Sequence, residues 1–176
     1  MVKTFVLLLA LVFTATSFAT EAVRDALVIC GAKGPIQERP LDDLVDAKKL
    51  EFTSKSTAND RGYTAAWRIK GGRLYLASFY GTSDGRKRRL KWLFPHEKSF
   101  VLAEWYTGTL HLSLGKIQLI KLGGHIKVTD VLMLIKVEAG VVVETKKLAY
   151  PDNISEFNKM LSEDRNRPVD IRESEY

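Results

Sequence analysis

The stretch AAWRIKGGRLYLASFYG, Ala65 to Gly81, predicts a β-hairpin and with it the fold class of the chain. Apolar and polar side chains alternate before the Gly-Gly pair at 71–72, as in a strand with one buried face. Two glycines permit the positive φ angles that a two-residue hairpin turn requires. After the turn, Leu74 and Leu76 share one face of the strand and Phe79 lies on the other. Both faces are then apolar, so we expect this strand to be covered on both sides.

Alternation of the same kind continues toward the C-terminus. The segment Phe100–Leu114 predicts a second hairpin, with its bend at Gly108. A third hairpin is predicted from Val131–Glu138 and Val141–Leu148, joined by Ala139-Gly140. These segments indicate a sheet built largely from neighbours in sequence.

Helical periodicity is confined to the margins of this β-rich region. Pro40–Phe52 carries apolar residues at helical spacing, with acids early and lysines late, and Asp152–Arg165 repeats the spacing. We therefore predict a mainly β fold (α+β). Its core is an antiparallel β meander that forms a partly open barrel or a strongly bent sheet, with one or two peripheral helices.

The N-terminus has the features of a secretory signal peptide. Lys3 supplies a positive charge, Phe5–Phe13 is an apolar run, and Ser17 and Ala19 are small residues placed for signal-peptidase cleavage. The run is too short to span a bilayer as a mature helix, which makes an uncleaved anchor the less favoured alternative. We expect cleavage near Ala19 and a periplasmic or secreted protein that does not span the membrane.

Three segments follow from this interpretation of the N-terminus. Residues 1–19 are the signal peptide, residues 20–163 are a single β-rich domain, and residues 164–176 are a flexible charged tail. The one cysteine, Cys30, cannot form an intramolecular disulfide. We expect it to be a buried strand residue, with a free thiol for a partner or a lipid-attachment site as alternatives.

The charge of the chain is basic, at +6, and removal of Lys3 with the signal peptide leaves +5. Much of this excess lies in a basic patch within GRKRRLKW. Its members are Arg86, Lys87, Arg88, Arg89 and Lys91. Such a patch suits an acidic protein or an anionic surface as partner, and the alternative is a solvated loop that maintains solubility. No nucleic acid is expected, since no aromatic-basic repeat extends the patch.

Motifs for catalysis or metal binding are not recognisable in the sequence. His96, His111 and His125 are not at metal-ligand spacing with one another or with Cys30, so no metal site is predicted. No cofactor motif and no catalytic residue is assigned. An aromatic set is predicted to fill the core, with a ligand cavity as the alternative. That set is Trp67, Tyr75, Phe79, Tyr80, Trp105 and Tyr106.

A series of short motifs runs through most of the chain. They are Arg61-Gly62-Tyr63, Trp67, Ile69, Leu74-Tyr75-Leu76, Leu93-Phe94-Pro95 and Trp105-Tyr106-Thr107-Gly108-Thr109-Leu110. Over about residues 25–160 this series resembles a family of small uncharacterised bacterial proteins with RGY…WxI…LYL, LFP and W[FY][ST]GxL motifs. The resemblance implies a shared fold and carries no established activity.

The leading functional hypothesis is an exported β-domain that is not catalytic and binds another macromolecule, like an immunity protein or an inhibitor. One alternative is a carrier of a small apolar ligand with an aromatic-lined cavity. Another is a hydrolase that uses Glu104 or Asp130 with His111 or His125. The candidate binding residues are Arg61, Trp67, Arg68, Glu104, Tyr106, His125 and Asp130.

Overall fold

The computed structural model describes residues 22–54, 56–97, 99–121 and 125–149, with the backbone alone in 117–121 and 125–128. The predicted signal peptide, the helix predicted at 152–165 and the predicted tail lie outside these residues. Within them, the prediction of a mainly β fold is confirmed: nine strands form one barrel-like sheet, accompanied by two short helices.

The predicted central hairpin is present. Strand β3 (Tyr63–Lys70) pairs antiparallel with strand β4 (Arg73–Ser83). Gly71 and Gly72 form the turn with φ angles of 57° and 69°, the left-handed conformation that glycine adopts without steric cost. Alternation along β3 points its bulky apolar side chains toward the interior of the barrel-like sheet, where Trp67 is completely buried.

The prediction that β4 is covered on both faces is wrong, because a β-bulge changes the direction of its side chains. Trp67 pairs with Leu76 while Ala66 pairs with Ser78, so Ala77 is an extra residue. One inserted residue reverses the inside-outside parity of everything after it. Phe79 therefore joins Leu76 in the core instead of pointing to the opposite face.

The N-terminal strands form a second hairpin that the sequence analysis did not predict. Strand β1 (Ala26–Ile29) pairs antiparallel with β2 (Ala32–Pro35), and β1 also lies parallel to β3, the one parallel pair among the described strands. Cys30 occupies the turn with φ 49° and is exposed. The prediction of a buried strand cysteine is therefore wrong, since a turn residue between two strands faces solvent.

The later strands are long, and their pairing differs from the prediction at one point. Strand β7 (Gly108–Lys121) pairs with β8 (His125–Glu138), which pairs with β9 (Val141–Ala149). The predicted turn at 139–140 is confirmed. The predicted hairpin at 100–114 is wrong, because the short strand β6 (Val101–Leu102) pairs with β4 instead of β7.

The sheet curls until its two ends approach each other. The strand order is β2-β1-β3-β4-β9-β8-β7, with β5 (Arg86–Arg89) and β6 attached to the outer edge of β4. The seam between β2 and β7 carries a single bridge, Ile36 with Leu112. Gly34 lies so close to the Ser113 carbonyl oxygen that a Cβ atom there would clash. The result is a nearly closed barrel with one unsealed seam.

Two short helices accompany the sheet. Helix α1 (Asp42–Ala47) confirms the helix predicted within residues 40–52, and Val45 is its buried residue. Helix α2 (Leu90–Leu93) follows β5 directly and buries Leu93. None of the helices in the described part of the chain is long and apolar enough to cross a membrane.

Candidate functional site

The predicted basic patch forms an edge strand with its cationic side chains on the surface. β5 pairs with β4 through four residue pairs, from Tyr80 with Arg89 to Ser83 with Arg86. Arg86, Lys87 and Arg89 are exposed, and Lys91 in α2 is exposed beside them. No described strand pairs with the other side of β5. Four of the five predicted patch residues thus lie along one edge of the sheet, and Lys91 follows them in α2.

Two exposed aromatic rings lie beside these cations. The sequence did not predict that these rings belong to the same surface. Tyr80 and Trp92 expose 53% and 36% of their surface. The Arg88 guanidinium lies 4.7 Å from the centroid of the Trp92 ring, and that of Arg89 lies 5.4 Å from the Tyr80 ring. A guanidinium within about 6 Å of a ring centroid makes a cation–π contact. These contacts hold two of the basic side chains in place.

The Tyr80–Arg89 pair follows from the strand register, and the Arg88–Trp92 pair follows from the turn into α2. Tyr80 lies opposite Arg89 across the β4–β5 ladder, so their side chains share a face. We call the surface formed by β5, Lys91, Tyr80 and Trp92 the basic-aromatic edge. Arg88 also forms an exposed ion pair with Asp84 at 3.3 Å, while its Nε atom is buried without a hydrogen-bond partner in the described structure.

Arg61 and Trp67, predicted as binding residues, instead belong to a buried polar network around Asp25. The Asp25 carboxylate accepts hydrogen bonds from the Arg61 guanidinium, from the Ala65 backbone N–H at 3.0 Å and from Trp67 Nε1 at 2.9 Å. The side chains of Arg61 and Asp25 are 7% and 0% exposed. A pair this deeply buried serves the fold, since a partner protein cannot reach it.

A second, half-buried acid lies beside this network. The Tyr63 hydroxyl donates a hydrogen bond to Asp42 at the start of α1, and the Arg61 guanidinium lies 4.6 Å from the Tyr63 ring centroid. Burial raises the pKa of Asp42, against the opposing effect of the Tyr63 hydrogen bond. Burial and the same hydrogen bond raise the pKa of Tyr63. Neither Asp25 nor Asp42 carried a motif that marked it in the sequence.

The predicted aromatic set is divided between the core and the surface. Phe52, Tyr63 and Phe79 have ring centroids 5.2 to 5.7 Å apart, and Trp67 lies 6.4 Å from Trp105. These separations are typical of packed aromatic pairs. Tyr80 in contrast points outward. The buried rings therefore contact one another as a core does.

His111, a candidate catalytic residue in the hydrolase hypothesis, lies beside Glu38 and not beside the predicted Glu104 or Asp130. Glu38 accepts a hydrogen bond from the His111 backbone N–H at 2.8 Å, and its second oxygen lies 2.5 Å from His111 Nδ1. This contact joins the chain after β2 to β7 beside the unsealed seam. Tyr106 is buried nearby, and burial, followed by the charges of Glu38 and Asp43, raises its pKa.

The remaining predicted site residues are dispersed. Arg68 lies on the surface with its guanidinium 5.0 Å from the Phe100 ring centroid, and Glu104 is exposed in the connection between β6 and β7. Asp130 accepts a hydrogen bond from the Lys116 backbone N–H at 2.9 Å. His125 begins β8, and its side chain lies outside the described structure. The structure thus does not bring the seven predicted binding residues together.

Among the described residues, no three His, Cys, Asp or Glu side chains are grouped so that they could hold a metal ion. Glu104 likewise has no hydrogen bond or ion pair to a histidine within that part of the chain. The basic-aromatic edge is consequently the surface whose chemistry is most distinct from its surroundings.

Comparison with protein-family models, with curated proteins and with solved structures finds no match to this chain. The resemblance to the family with RGY, LFP and W[FY][ST]GxL motifs therefore stays a prediction.

Proposed function

We propose that this protein is an exported, non-catalytic β-domain that binds an acidic partner protein through the basic-aromatic edge, in the manner of an immunity protein or inhibitor. The observation that carries this proposal is the combination of two exposed rings with four consecutive cationic residues on a strand edge that no described strand covers. The predicted signal peptide would deliver the domain to the periplasm or the exterior, where we expect its partner.

The composition of the edge supports binding. Energetically dominant residues of protein interfaces are enriched in Trp, Tyr and Arg, all of which occur here. Arg88 and Arg89 are held against rings, so less side-chain entropy is lost when an acidic partner binds them. Exposed like charges also steer an oppositely charged partner toward the surface and accelerate association.

The other two hypotheses receive less support from the geometry. A carrier needs open space between its aromatic residues, whereas Phe52, Tyr63 and Phe79 lie at packing distance. A hydrolase needs a histidine and an acid free to act on a substrate, whereas Glu38 also accepts the backbone N–H of His111. That second bond is typical of an acid that fixes two chain segments together.

The test measures binding of the full chain to poly-L-glutamate by fluorescence anisotropy at several salt concentrations. Arg86→Glu/Lys87→Glu reverses two exposed charges on β5 and should weaken binding at least about 10-fold, because both cations belong to the proposed binding surface. Raising the salt concentration should weaken binding of the wild type, since exposed charges are screened.

The matched control is Lys146→Glu/Lys147→Glu on β9. It changes the net charge by the same amount at two exposed strand residues away from the basic-aromatic edge. We expect this control to weaken binding by less than about 3-fold, as a general charge effect. An equal loss in both variants, or no binding by the wild type at low salt, would refute the proposed surface.

A further inference from the structure

One edge of β4 pairs with β3. Its other edge, which pairs with β5 and β6, has a gap in its pairing beside the basic-aromatic edge. β6 pairs with β4 at Tyr75 and Leu76, and β5 pairs with it from Tyr80 onward. Between them, no described strand lies against residues 77–79 on this side. On the opposite side, Ser78 and Phe79 pair with β3. The gap arises because β5 turns into α2 at Leu90 and leaves the sheet.

A pocket of about 250 Å³ occupies this gap. Its β4 wall is residues 77–80, and the facing wall comes from Arg89, Leu90 and Lys91, with Glu97 completing the lining. Sites for drug-sized ligands usually enclose about 300–1,000 Å³, so this pocket suits one or two residues of a peptide better than a whole ligand. The pocket wall carries two cationic side chains, Arg89 and Lys91, and one acid, Glu97. This excess of positive charge favours an anionic group.

The length of the gap restricts what can enter it as a strand. Three residues of an extended chain cover about 10 Å, and β5 and β6 stand at the two ends of that interval. A long strand running through the gap would collide with both. A chain end, in contrast, can enter from solvent and place its last residues against β4.

We infer that the pocket binds the C-terminal residues of an extended acidic segment of the partner protein, with the terminal carboxylate held between Arg89 and Lys91. Backbone hydrogen bonds to the open edge of β4 would supply affinity, as they do when other peptides add to a sheet edge. The apolar wall formed by Ala77 and Leu90 would contact the last side chain. This inference rests on the proposed function, because the remainder of the acidic segment would lie along β5.

The test compares two labelled peptides of equal charge, acetyl-Glu-Glu-Val-Glu-Val with a C-terminal amide and acetyl-Glu-Gln-Val-Glu-Val with a free carboxylate. Binding to the full chain is measured by fluorescence anisotropy. We expect the free-carboxylate peptide to bind about 10-fold more tightly, because only its terminus can pair with both cations. Equal affinity would overturn the inference, as would equally tight binding of acetyl-valine alone, which would indicate a small-molecule site.

Two variants separate this inference from the proposed function. Arg89→Gln/Lys91→Gln should abolish the preference for the free carboxylate, because it removes both cations at the pocket wall. Arg86→Glu/Lys87→Glu should weaken both peptides by the same factor and leave the preference unchanged. Far-UV circular dichroism checks that each variant is folded. If the β5 variant weakens both peptides but the wild type shows no preference, the surface is correct and the terminal-carboxylate site is wrong.

Discussion

Replacement of Asp25 by alanine should destabilise the protein more than any surface change, because three donors converge on this one buried carboxylate. The substitution leaves the Arg61 guanidinium, whose side chain is 7% exposed, without its counter-charge. It also leaves the Ala65 N–H and the Trp67 indole N–H without an acceptor. All three donors lie on or beside β3, the strand that joins β1 to β4.

The expected loss in the free energy of unfolding follows from the three donors that lose their acceptor. Removing one member of a buried ion pair costs about 3–5 kcal/mol, most of it from the charge that stays buried alone. The two unpaired N–H groups add to that cost, while rearrangement of Arg61 toward solvent reduces it. We therefore expect a loss of about 3–5 kcal/mol in the free energy of unfolding. With a urea m-value of about 2 kcal/mol per molar, the unfolding midpoint falls by about 2 M.

The assay is urea unfolding of the full chain, followed by circular dichroism and by tryptophan fluorescence. The matched control is Glu138→Gln, which removes the exposed Lys136–Glu138 pair at 3.0 Å and should leave the midpoint unchanged. Arg61→Met and the double variant Asp25→Ala/Arg61→Met complete a double-mutant cycle. Because the double variant leaves no unpaired charge, its cost should fall short of the sum of the single costs by about 1–3 kcal/mol.

Two results would refute this reasoning. One is a midpoint for Asp25→Ala close to that of Glu138→Gln, which would mean that water satisfies the three donors once the carboxylate is removed. The other is strict additivity in the cycle, since uncoupled residues cannot form the ion pair described here. If Asp25→Ala does not fold at all, Asp25→Asn, which keeps one carbonyl acceptor, supplies the smaller loss on the same scale.

Three other substitutions test local features by urea midpoints. Gly34→Ala drives a Cβ against the Ser113 carbonyl at the seam and should cost about 1–3 kcal/mol; an unchanged midpoint would mean that Gly34 and Ser113 do not approach this closely. Cys30→Asn should gain about 1 kcal/mol, because asparagine tolerates the left-handed turn conformation better, and a loss would contradict this. Burial raises the folded-state pKa of Asp42 above 3.8, so the native state holds this proton more tightly than the unfolded state does. The stability of the protein therefore falls as the pH rises from 3.8 through the folded-state pKa. Wild type should therefore gain stability relative to Asp42→Asn as the pH is lowered, and a pH-independent difference would be inconsistent with this burial.

Local features of the fold could be predicted because their causes are local. The Gly-Gly pair before Arg73 and the Ala-Gly pair before Val141 each place two positive φ angles where two strands meet. Alternation then tells which residues of β3 face inward. The prediction of which β4 side chains face inward failed after Ala77, because this extra residue reverses the alternation. Nothing in the sequence distinguishes Ala77 as an inserted residue.

The positive charge of the candidate site could be predicted from the sequence, but the aromatic residues beside the cations could not. The cations of β5 are contiguous in the sequence, so their clustering needs no tertiary information. Tyr80 and Trp92 become part of the same surface only through the register of β5 on β4 and through the turn into α2. The sequence does not show that the predicted binding residues Arg61 and Trp67 both donate hydrogen bonds to the buried Asp25 carboxylate.

What the sequence alone determined about this protein is its β-rich class, the turns at 71–72 and 139–140 and a basic segment, all of which depend on neighbouring residues. Tertiary structure decided which strands pair, which acids are buried and where the sheet edge stays open. The physical reason is that turn geometry and charge density act over a few residues, whereas pairing and burial depend on residues such as Asp25 and Arg61 that are far apart in the chain.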